Sequence, residues 1–423
     1  MELFVSPMAT IEQPLGFAVT AAEPGAVLRL SLSATDSAGR VFSSTTDYRA
    51  DADGCVNAAS SLPMNAQWAR PAAHAPVWTL RSDDGHPYEP GDQETLQVSV
   101  RVRSSSGKGQ KTSAQRSFTR GAAPITPSGE AALTFGDIPA VAYRPAGPRH
   151  AEAAPGVVVL PDVQAPTISS VAPLAAAGFT VAGLNWSASL PANIDALLRA
   201  LEHFHHHPAV DSTRPLSIIG VSRGSELALD LATRRPDLVG PLVLHSPTAT
   251  RTASPSTSGH GQLWALDSGA PPIAAASPLK EKKALLEGVV RSDLRGQPRT
   301  YRAFFDAAWA AAEGTPEARF ELGELPGPVL MTRGTDQPVW DCAAAIETIT
   351  AGLRCESFST VQQGAGHGQG FPFTLPGLPA ATVEHANGHR IALGGTQVAN
   401  GEAAEATRQQ VLSFLTSALQ VEQ

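Results

Sequence analysis

The sequence predicts a two-domain protein in which an all-β domain is followed by a larger α/β domain. Up to about residue 118, short runs of alternating apolar and polar residues are separated by turns, as in a β-sandwich. From about residue 150, fully apolar strands alternate with segments of helical periodicity, as in a parallel sheet covered on both faces. A length of 423 residues suits two domains of these kinds.

In the first domain, strands are predicted over Ala26–Leu32, Val41–Tyr48 and Thr95–Val102, where apolar and polar side chains alternate. Turn residues follow each of these runs. Residues 1–120 are therefore assigned to an immunoglobulin-like β-sandwich. Residues 121–149 are rich in Ala, Pro and Gly and are expected to form a junction, and residues 150–423 are assigned to the α/β domain.

The α/β domain is predicted from apolar strands and the amphipathic helices between them. The strands are Val157–Leu160, Phe179–Leu184, Leu216–Ile219, Pro241–Leu244, Pro328–Met331 and one near Ser357–Ser359. The helices are Ser169–Ala177, Pro191–His206, the one after Ser222, Trp340–Leu353 and Ala403–Leu419. An insertion at about 247–326 interrupts this alternation. It is expected over the carboxyl ends of the strands, where α/β proteins bind ligands.

Composition excludes several classes of protein. The net charge of −8 argues against a nucleic-acid partner, because nucleic-acid-binding surfaces are usually basic. Three cysteines are too few for a disulfide scaffold, which favours a reducing, cytoplasmic location. The start resembles no signal peptide and no apolar run has membrane-spanning length, so no membrane partner is expected. No cofactor is expected, and the oligomeric state stays open.

The segment Gly220-Val221-Ser222-Arg223-Gly224 stands between a β-branched strand and a helix. This order is typical of the nucleophile elbow of α/β-hydrolases, in which a serine lies on a tight turn above the sheet. The flanking glycines allow strand and helix backbones to pass closely. We therefore predict Ser222 as a nucleophile.

A serine nucleophile needs a histidine base and an acid that orients it, and in this fold they follow in the order acid, then histidine. Asp336 follows the strand that ends at Met331 and is the predicted acid, with Asp341 as its competitor. His367 lies in a glycine-rich loop after the last strand and is the predicted base. His385 and His389 are later rivals.

The backbone N–H of Arg223 is the first predicted donor to the oxyanion, since it begins the helix after the nucleophile. The second donor is expected from the loop after the first α/β strand, at Val163 or Gln164. A histidine cluster offers a different chemistry, because two of its members would share a helix face as in some zinc sites. The cluster contains His203, His205, His206 and His207. No Glu-x-x-His pattern completes it, so no metal site is predicted.

Beyond these local motifs, the chain resembles the family of acyl-CoA thioesterases and bile acid-CoA:amino acid N-acyltransferases over nearly its whole length. The stretches that carry the resemblance are Val41–Ser44 with Asp47–Gly54, Gly220–Leu229, Arg333–Trp340 and Gly364–His367. The resemblance implies a β-sandwich followed by an α/β-hydrolase domain, a triad of Ser222, Asp336 and His367, and a role in fatty-acid metabolism.

Two departures from the family pattern bear on the reaction. The glycine-rich segment after the first hydrolase strand is replaced by Asp162–Ala165, which affects the oxyanion site. The acyltransferase branch uses cysteine at the elbow, whereas this chain has Ser222. Because an oxygen ester suits attack by water, hydrolysis is favoured over transfer.

The sequence thus predicts a serine hydrolase of acyl-CoA or related acyl thioesters. The alternatives are an ester or amide hydrolase with the same triad, an acyltransferase to an amine acceptor, and a non-catalytic binding protein. The basic stretch Lys280–Arg302 lies within the insertion and has two interpretations. It either binds the CoA phosphates or forms an ordinary solvated face.

Overall fold

Two antiparallel sheets form the N-terminal part of the computed structural model. The structure describes residues 1–5, 16–36, 38–64, 68, 71–84, 88, 93–103, 113–121, 126–127, 133–145, 153–162, 166, 168–255, 263–269, 271–367, 381–384 and 388–419. The N-terminal strands are β1 (Glu2–Val5), β2 (Phe17–Thr20), β3 (Val27–Thr35), β4 (Val41–Arg49), β5 (Val56–Asn57), β6 (Gln93–Arg103) and β7 (Ser113–Gly121). Their orders are β4-β3-β6-β7 in one sheet and β1-β2-β5 in the other.

The two N-terminal sheets share one apolar core, as in a sandwich. Every second side chain of β3 is buried, which places Leu28, Leu30 and Leu32 on the same face. These residues pack in one cluster with Phe17 and Val19 of the other sheet. The alternation of apolar and polar residues seen in the sequence therefore marks the buried face.

A nine-stranded sheet forms the centre of the second part. Its strands are β8 (Thr126–Pro127), β9 (Leu133–Phe135), β10 (Ile138–Arg144), β11 (Gly156–Leu160), β12 (Thr180–Leu184), β14 (Leu216–Val221), β15 (Val239–His245), β17 (Val329–Asp336) and β18 (Ser357–Gly366). The order is β18-β17-β15-β14-β11-β12-β10-β8, with β9 beside β10. Neighbours from β18 to β12 run parallel, and β10 is antiparallel to β12. The expected parallel sheet is thus present, with an antiparallel edge.

The structure differs from the expectation for residues 121–149, which was a junction. This segment supplies β8, β9 and β10 to the central sheet. The buried positions of β10 alternate with partly exposed ones, as suits a strand near a sheet edge. Such a strand lacks the continuous apolar run by which the buried parallel strands are recognised.

Helices cover both faces of the central sheet. In chain order, the described residues form α1 (Ala75–Trp78) in the N-terminal part, then α2 (Ile168–Ala176), α3 (Ile194–His205), α4 (Arg223–Arg234), α5 (Pro278–Leu285), α6 (Arg291–Leu294), α7 (Arg302–Ala311), α8 (Cys342–Gly352) and α9 (Gln397–Ala418). Val158 and Leu160 of β11 point to a core shared with α3, α4 and α8, while Val157 and Val159 point to a core shared with α2 and α9. No helix among the described residues is both long enough and apolar enough to cross a membrane.

The insertion folds onto the region that follows β17. It contains α5, a π-helical segment (Leu286–Val290), α6 and α7. Phe304 and Phe305 of α7 pack in one apolar cluster with Trp340 and Cys342. The insertion therefore lies at the carboxyl end of a central strand.

Among the described residues, two shorter ladders lie outside these sheets. They pair β13 (Ala192–Asn193) with β16 (Trp264–Ala265), and β19 (Thr382–Glu384) with β20 (Arg390–Ala392).

Candidate active site

Ser222 lies on the turn between β14 and α4, with a φ of 54° and a ψ of −115°. A positive φ is rare for residues other than glycine and marks a strained turn. The flanking glycines make this turn possible. A Cβ on Gly220 would lie 2.5 Å from the Cα of Ser225, and one on Gly224 would lie 2.1 Å from the carbonyl oxygen of Leu160.

The turn brings Ser222 into contact with His367. The Oγ of Ser222 lies 2.9 Å from the Nε2 of His367. His367 directly follows β18, and the hydroxyl of Ser246 donates a 3.2 Å hydrogen bond to its carbonyl oxygen. The side chains are nearly covered, with 3% of Ser222 and 4% of His367 exposed. The two residues predicted as nucleophile and base are therefore hydrogen-bonded to each other and shielded from bulk water.

The other ring nitrogen of His367 contacts Gln337, a residue that the sequence analysis did not identify. The distance from Nδ1 of His367 to Oε1 of Gln337 is 2.8 Å. The thiol of Cys342 also approaches Oε1, at 3.4 Å. No sequence motif identifies this glutamine, because the triad motif specifies a carboxylate as the partner of the histidine and glutamine carries an amide.

Asp336, the predicted acid, is not brought to the imidazole in this conformation. Its Oδ2 accepts a 2.8 Å hydrogen bond from the backbone N–H of Gly395, and the side chain is exposed. Gly394 and Gly395 have φ values of 79° and 75°, a left-handed turn that presents this N–H to the carboxylate. The competitor Asp341 caps α8 by accepting from the N–H groups of Ala343 and Ala344.

Burial controls the electrostatics of His367. Loss of hydration lowers the pKa of its imidazole to about 3. The ring of Trp340 packs edge-to-face on the imidazole with centroids 4.6 Å apart, and its indole N–H is held by the carbonyls of Ser246 and Pro247. Burial likewise lowers the pKa of the neighbouring His245 to about 3. Both rings are therefore neutral near pH 7, and a neutral His367 can accept a proton.

The predicted oxyanion donor, the N–H of Arg223, faces a carboxylate. The Oδ1 of Asp162 lies 3.3 Å from this nitrogen. A substrate oxygen at the same N–H would have to displace Asp162. Val163 and Gln164, the predicted second donors, lie outside the described residues.

The side chain of Arg223 lies in a buried polar network under the elbow. Its guanidinium is 2.6 Å from Oε1 of Glu226 and also bonds Thr252. It lies over the rings of Trp264 and Phe305, at 5.6 and 5.7 Å from their centroids. Burial raises the pKa of Glu226, and the charge of Arg223 opposes that rise. The network joins α4 to the insertion beside the nucleophile.

The remaining histidines lie away from the Ser222–His367 pair. In the cluster at the end of α3, His203 accepts from the N–H of Gly136 and His207 accepts from the N–H of Ala209. His389 lies near Asp293 of the insertion, a carboxyl group whose pKa is lowered chiefly by its hydrogen bond with Arg299. His385 lies outside the described residues. Within the described ranges, no group of three or more His, Cys, Asp or Glu side chains is arranged to hold a metal.

Comparison with solved structures gives distant matches. A dienelactone hydrolase from Anabaena variabilis is 13% identical, with 70% of this chain and 97% of that chain covered and a TM-score of 0.38. A monoacylglycerol lipase from Paleococcus ferrophilus is 14% identical, with coverages of 67% and 99% and a TM-score of 0.38. None of the curated proteins compared with the chain matches it.

Family models match most of the chain. The model described as the BAAT/acyl-CoA thioester hydrolase C terminal matches residues 198–421. The model described as the acyl-CoA thioester hydrolase/BAAT N-terminal region matches residues 12–124. The first includes the elbow and both residues of the hydrogen-bonded pair, and it spans more than half of the chain. The chain therefore belongs to the BAAT/acyl-CoA thioester hydrolase family of α/β-hydrolases.

Proposed function

We propose that this protein is a serine hydrolase of acyl-CoA or related acyl thioesters. The observation that carries the proposal is the 2.9 Å contact between the Oγ of Ser222 and the Nε2 of His367 on a strained elbow turn. Family membership supports acyl-CoA as the substrate class. A hydroxyl beside a neutral imidazole is the arrangement needed for nucleophilic attack on an acyl carbon.

In the proposed mechanism, Ser222 attacks the thioester carbonyl while the Nε2 of His367 accepts the hydroxyl proton. The negative oxygen of the tetrahedral intermediate faces the N–H of Arg223, after the carboxylate of Asp162 has moved aside. Collapse breaks the carbon–sulfur bond, and His367 returns the proton to the departing thiolate. Water then attacks the acyl-Ser222 ester by the same route and releases the acid. Val163 and Gln164 as second oxyanion donors stay predictions. Asp336 also stays a prediction as the acid, and its rival in the structure is Gln337, whose Oε1 contacts Nδ1 of His367.

Hydrolysis and transfer differ only in what attacks the acyl-enzyme. An oxygen ester on Ser222 is less activated than a thioester toward an amine, which favours water as the acceptor. The competing function in this family is transfer to an amine, and ordinary esters are the competing substrates. One comparison separates these reactions. Hydrolysis of an acyl-CoA and of the p-nitrophenyl ester of the same acid is measured with and without added amino acids.

We expect release of free acid from acyl-CoA, at a rate that added amino acids do not change and with a higher kcat/KM than for the nitrophenyl ester. Formation of an N-acyl amino acid at the expense of free acid would instead identify a transferase. A higher kcat/KM for the nitrophenyl ester would identify an ordinary esterase.

The insertion gives a separate prediction about CoA recognition. Lys282, Lys283 and Arg291 are exposed, and none of them has an ion pair among the described residues. Since the whole protein carries a charge of −8, CoA phosphates need a local basic surface. Reversing these three charges to Glu is expected to raise KM for acyl-CoA about tenfold, or about 1.4 kcal/mol of binding free energy. The effect should shrink with added salt, and KM for a small neutral ester should not change.

The matched control reverses three exposed arginines of the N-terminal part, Arg49, Arg81 and Arg116, which produces the same change in net charge. We expect KM for acyl-CoA to change little in this control. An equal rise in both triple variants would show that only net charge matters. No rise in either would place CoA binding elsewhere.

A further inference from the structure

We propose that Gln337, and not a carboxylate, is the residue that positions the imidazole of His367 for catalysis. The inference rests on the proposed roles of Ser222 and His367 and adds a third member to that pair. Its basis is the 2.8 Å contact between Oε1 of Gln337 and Nδ1 of His367, on the side of the ring opposite Ser222.

Neighbouring groups determine which way the amide of Gln337 faces. Its Nε2 donates to the carbonyl oxygen of Gly334 at 3.3 Å, and its Oε1 accepts from the thiol of Cys342 at 3.4 Å. Burial raises the pKa of that thiol to about 12, so the sulfur keeps its proton and remains a donor. The carbonyl of Gly334 holds the NH₂ group and the thiol of Cys342 holds the oxygen, so Oε1 faces the imidazole.

This orientation selects one tautomer of His367. An amide oxygen can only accept, so Nδ1 must carry the hydrogen and donate it to Gln337. Nε2 is then left with a lone pair directed at the hydroxyl of Ser222, 2.9 Å away. A carboxylate performs the same selection in a Ser-His-Asp triad. Gln337 therefore provides the orienting part of the acid's role.

Gln337 lacks the negative charge that the carboxylate of a Ser-His-Asp triad carries. A neutral amide does not stabilise the imidazolium that forms during acyl transfer. Among the described residues, the titratable groups near the imidazole include His245 on β15, Cys342 on α8, Arg333 and Asp336 on β17, and Asp341 directly before α8. The thiol is protonated, His245 is neutral, and the carboxylates of Asp336 and Asp341 bind Gly395 and Arg302. None of these carboxylates contacts the imidazole.

The test compares Gln337→Ala, Gln337→Glu and Asp336→Asn, with Gln363→Ala as a matched control on an exposed glutamine of β18. We expect Gln337→Ala to lower kcat for acyl-CoA about 100-fold, because the reactive tautomer is no longer selected. KM should stay within about twofold, since Gln337 contacts the base and not the CoA. Asp336→Asn should lower kcat less than Gln337→Ala does, and Gln363→Ala should match wild type.

Gln337→Glu provides a readout that a purely structural residue would not affect. A carboxylate in place of the amide stabilises the imidazolium and raises the pKa of His367. The acid limb of the pH profile of kcat/KM should therefore move to higher pH. Titration of ¹⁵N-labelled histidine by NMR should give a raised pKa for His367 in the same variant. This second measurement needs no turnover.

Three results would overturn the proposal. The first is a larger loss in Asp336→Asn than in Gln337→Ala. The second is an unchanged pKa of His367 in a folded Gln337→Glu protein. The third is an equal loss in Gln337→Ala and the Gln363→Ala control. If wild type did not hydrolyse acyl thioesters at all, the proposed function would fail, while the NMR titration would still decide the role of Gln337.

Discussion

Replacing Ser222 by alanine is expected to reduce kcat/KM for acyl-CoA by a factor of about 10⁴ or more, without unfolding the protein. The hydroxyl is the atom that attacks, and no other hydroxyl is hydrogen-bonded to His367 Nε2 in the described part of the chain. The fold should tolerate the change, because the positive φ of residue 222 is imposed by the elbow and alanine is no larger than serine. Steady-state kinetics with a circular dichroism spectrum of each protein checks both statements.

The thiol of Cys342 is a second nucleophilic group near the ring of His367, with its sulfur 4.0 Å from Nδ1. Its raised pKa keeps it protonated and unreactive at neutral pH. Cys342→Ala should therefore retain turnover within about tenfold, the loss arising from its contact with Gln337. Full activity in Ser222→Ala together with inactivity in Cys342→Ala would reverse the assignment of the nucleophile.

The second large effect is expected at Gly224, where α4 passes over the end of β11. An added Cβ would lie 2.1 Å from the carbonyl oxygen of Leu160 and 2.5 Å from that of Pro161. Both are backbone atoms at the end of a buried strand, so neither can swing aside. Gly224→Ala should lower the free energy of unfolding by about 3 kcal/mol and displace Ser222 from His367. Urea unfolding and kcat measure the two consequences.

Gly314 offers a matched control for this substitution. It is exposed, its φ is not positive, and no atom lies within 4 Å of an added Cβ. Gly314→Ala should therefore change the free energy of unfolding by no more than about 0.5 kcal/mol. Equal stabilities of the two variants would mean that the close approach at Gly224 is not real.

Much of the architecture could be predicted from the sequence because its signals are local. The elbow is a pattern of five consecutive residues, Gly220 to Gly224, between a strand and a helix. The buried strands of the central sheet are continuous apolar runs such as Gly156–Leu160. The strand Ile138–Arg144 was missed because only every second position is buried and it lies in a segment rich in Pro and Ala.

The site was less predictable, because it depends on side-chain directions that chain order does not determine. Asp336 and Gln337 are adjacent, so both lie where the acid is expected. Which of them reaches His367 depends on the N–H of Gly395, 59 residues away from Asp336 in sequence, and on the carbonyl of Gly334. The contact of Asp162 with the N–H of Arg223 likewise joins two loops that no local pattern connects.

The proposed reaction proceeds through an ester on Ser222. The most direct measurement is rapid acid quenching of wild type and Ser222→Ala after mixing with an acyl-CoA, followed by peptide mass spectrometry. We expect one acyl group on the peptide that contains Ser222 in wild type, and none on any peptide of the variant. An acyl group on the peptide that contains Cys342, or turnover without any acylated peptide, would contradict it.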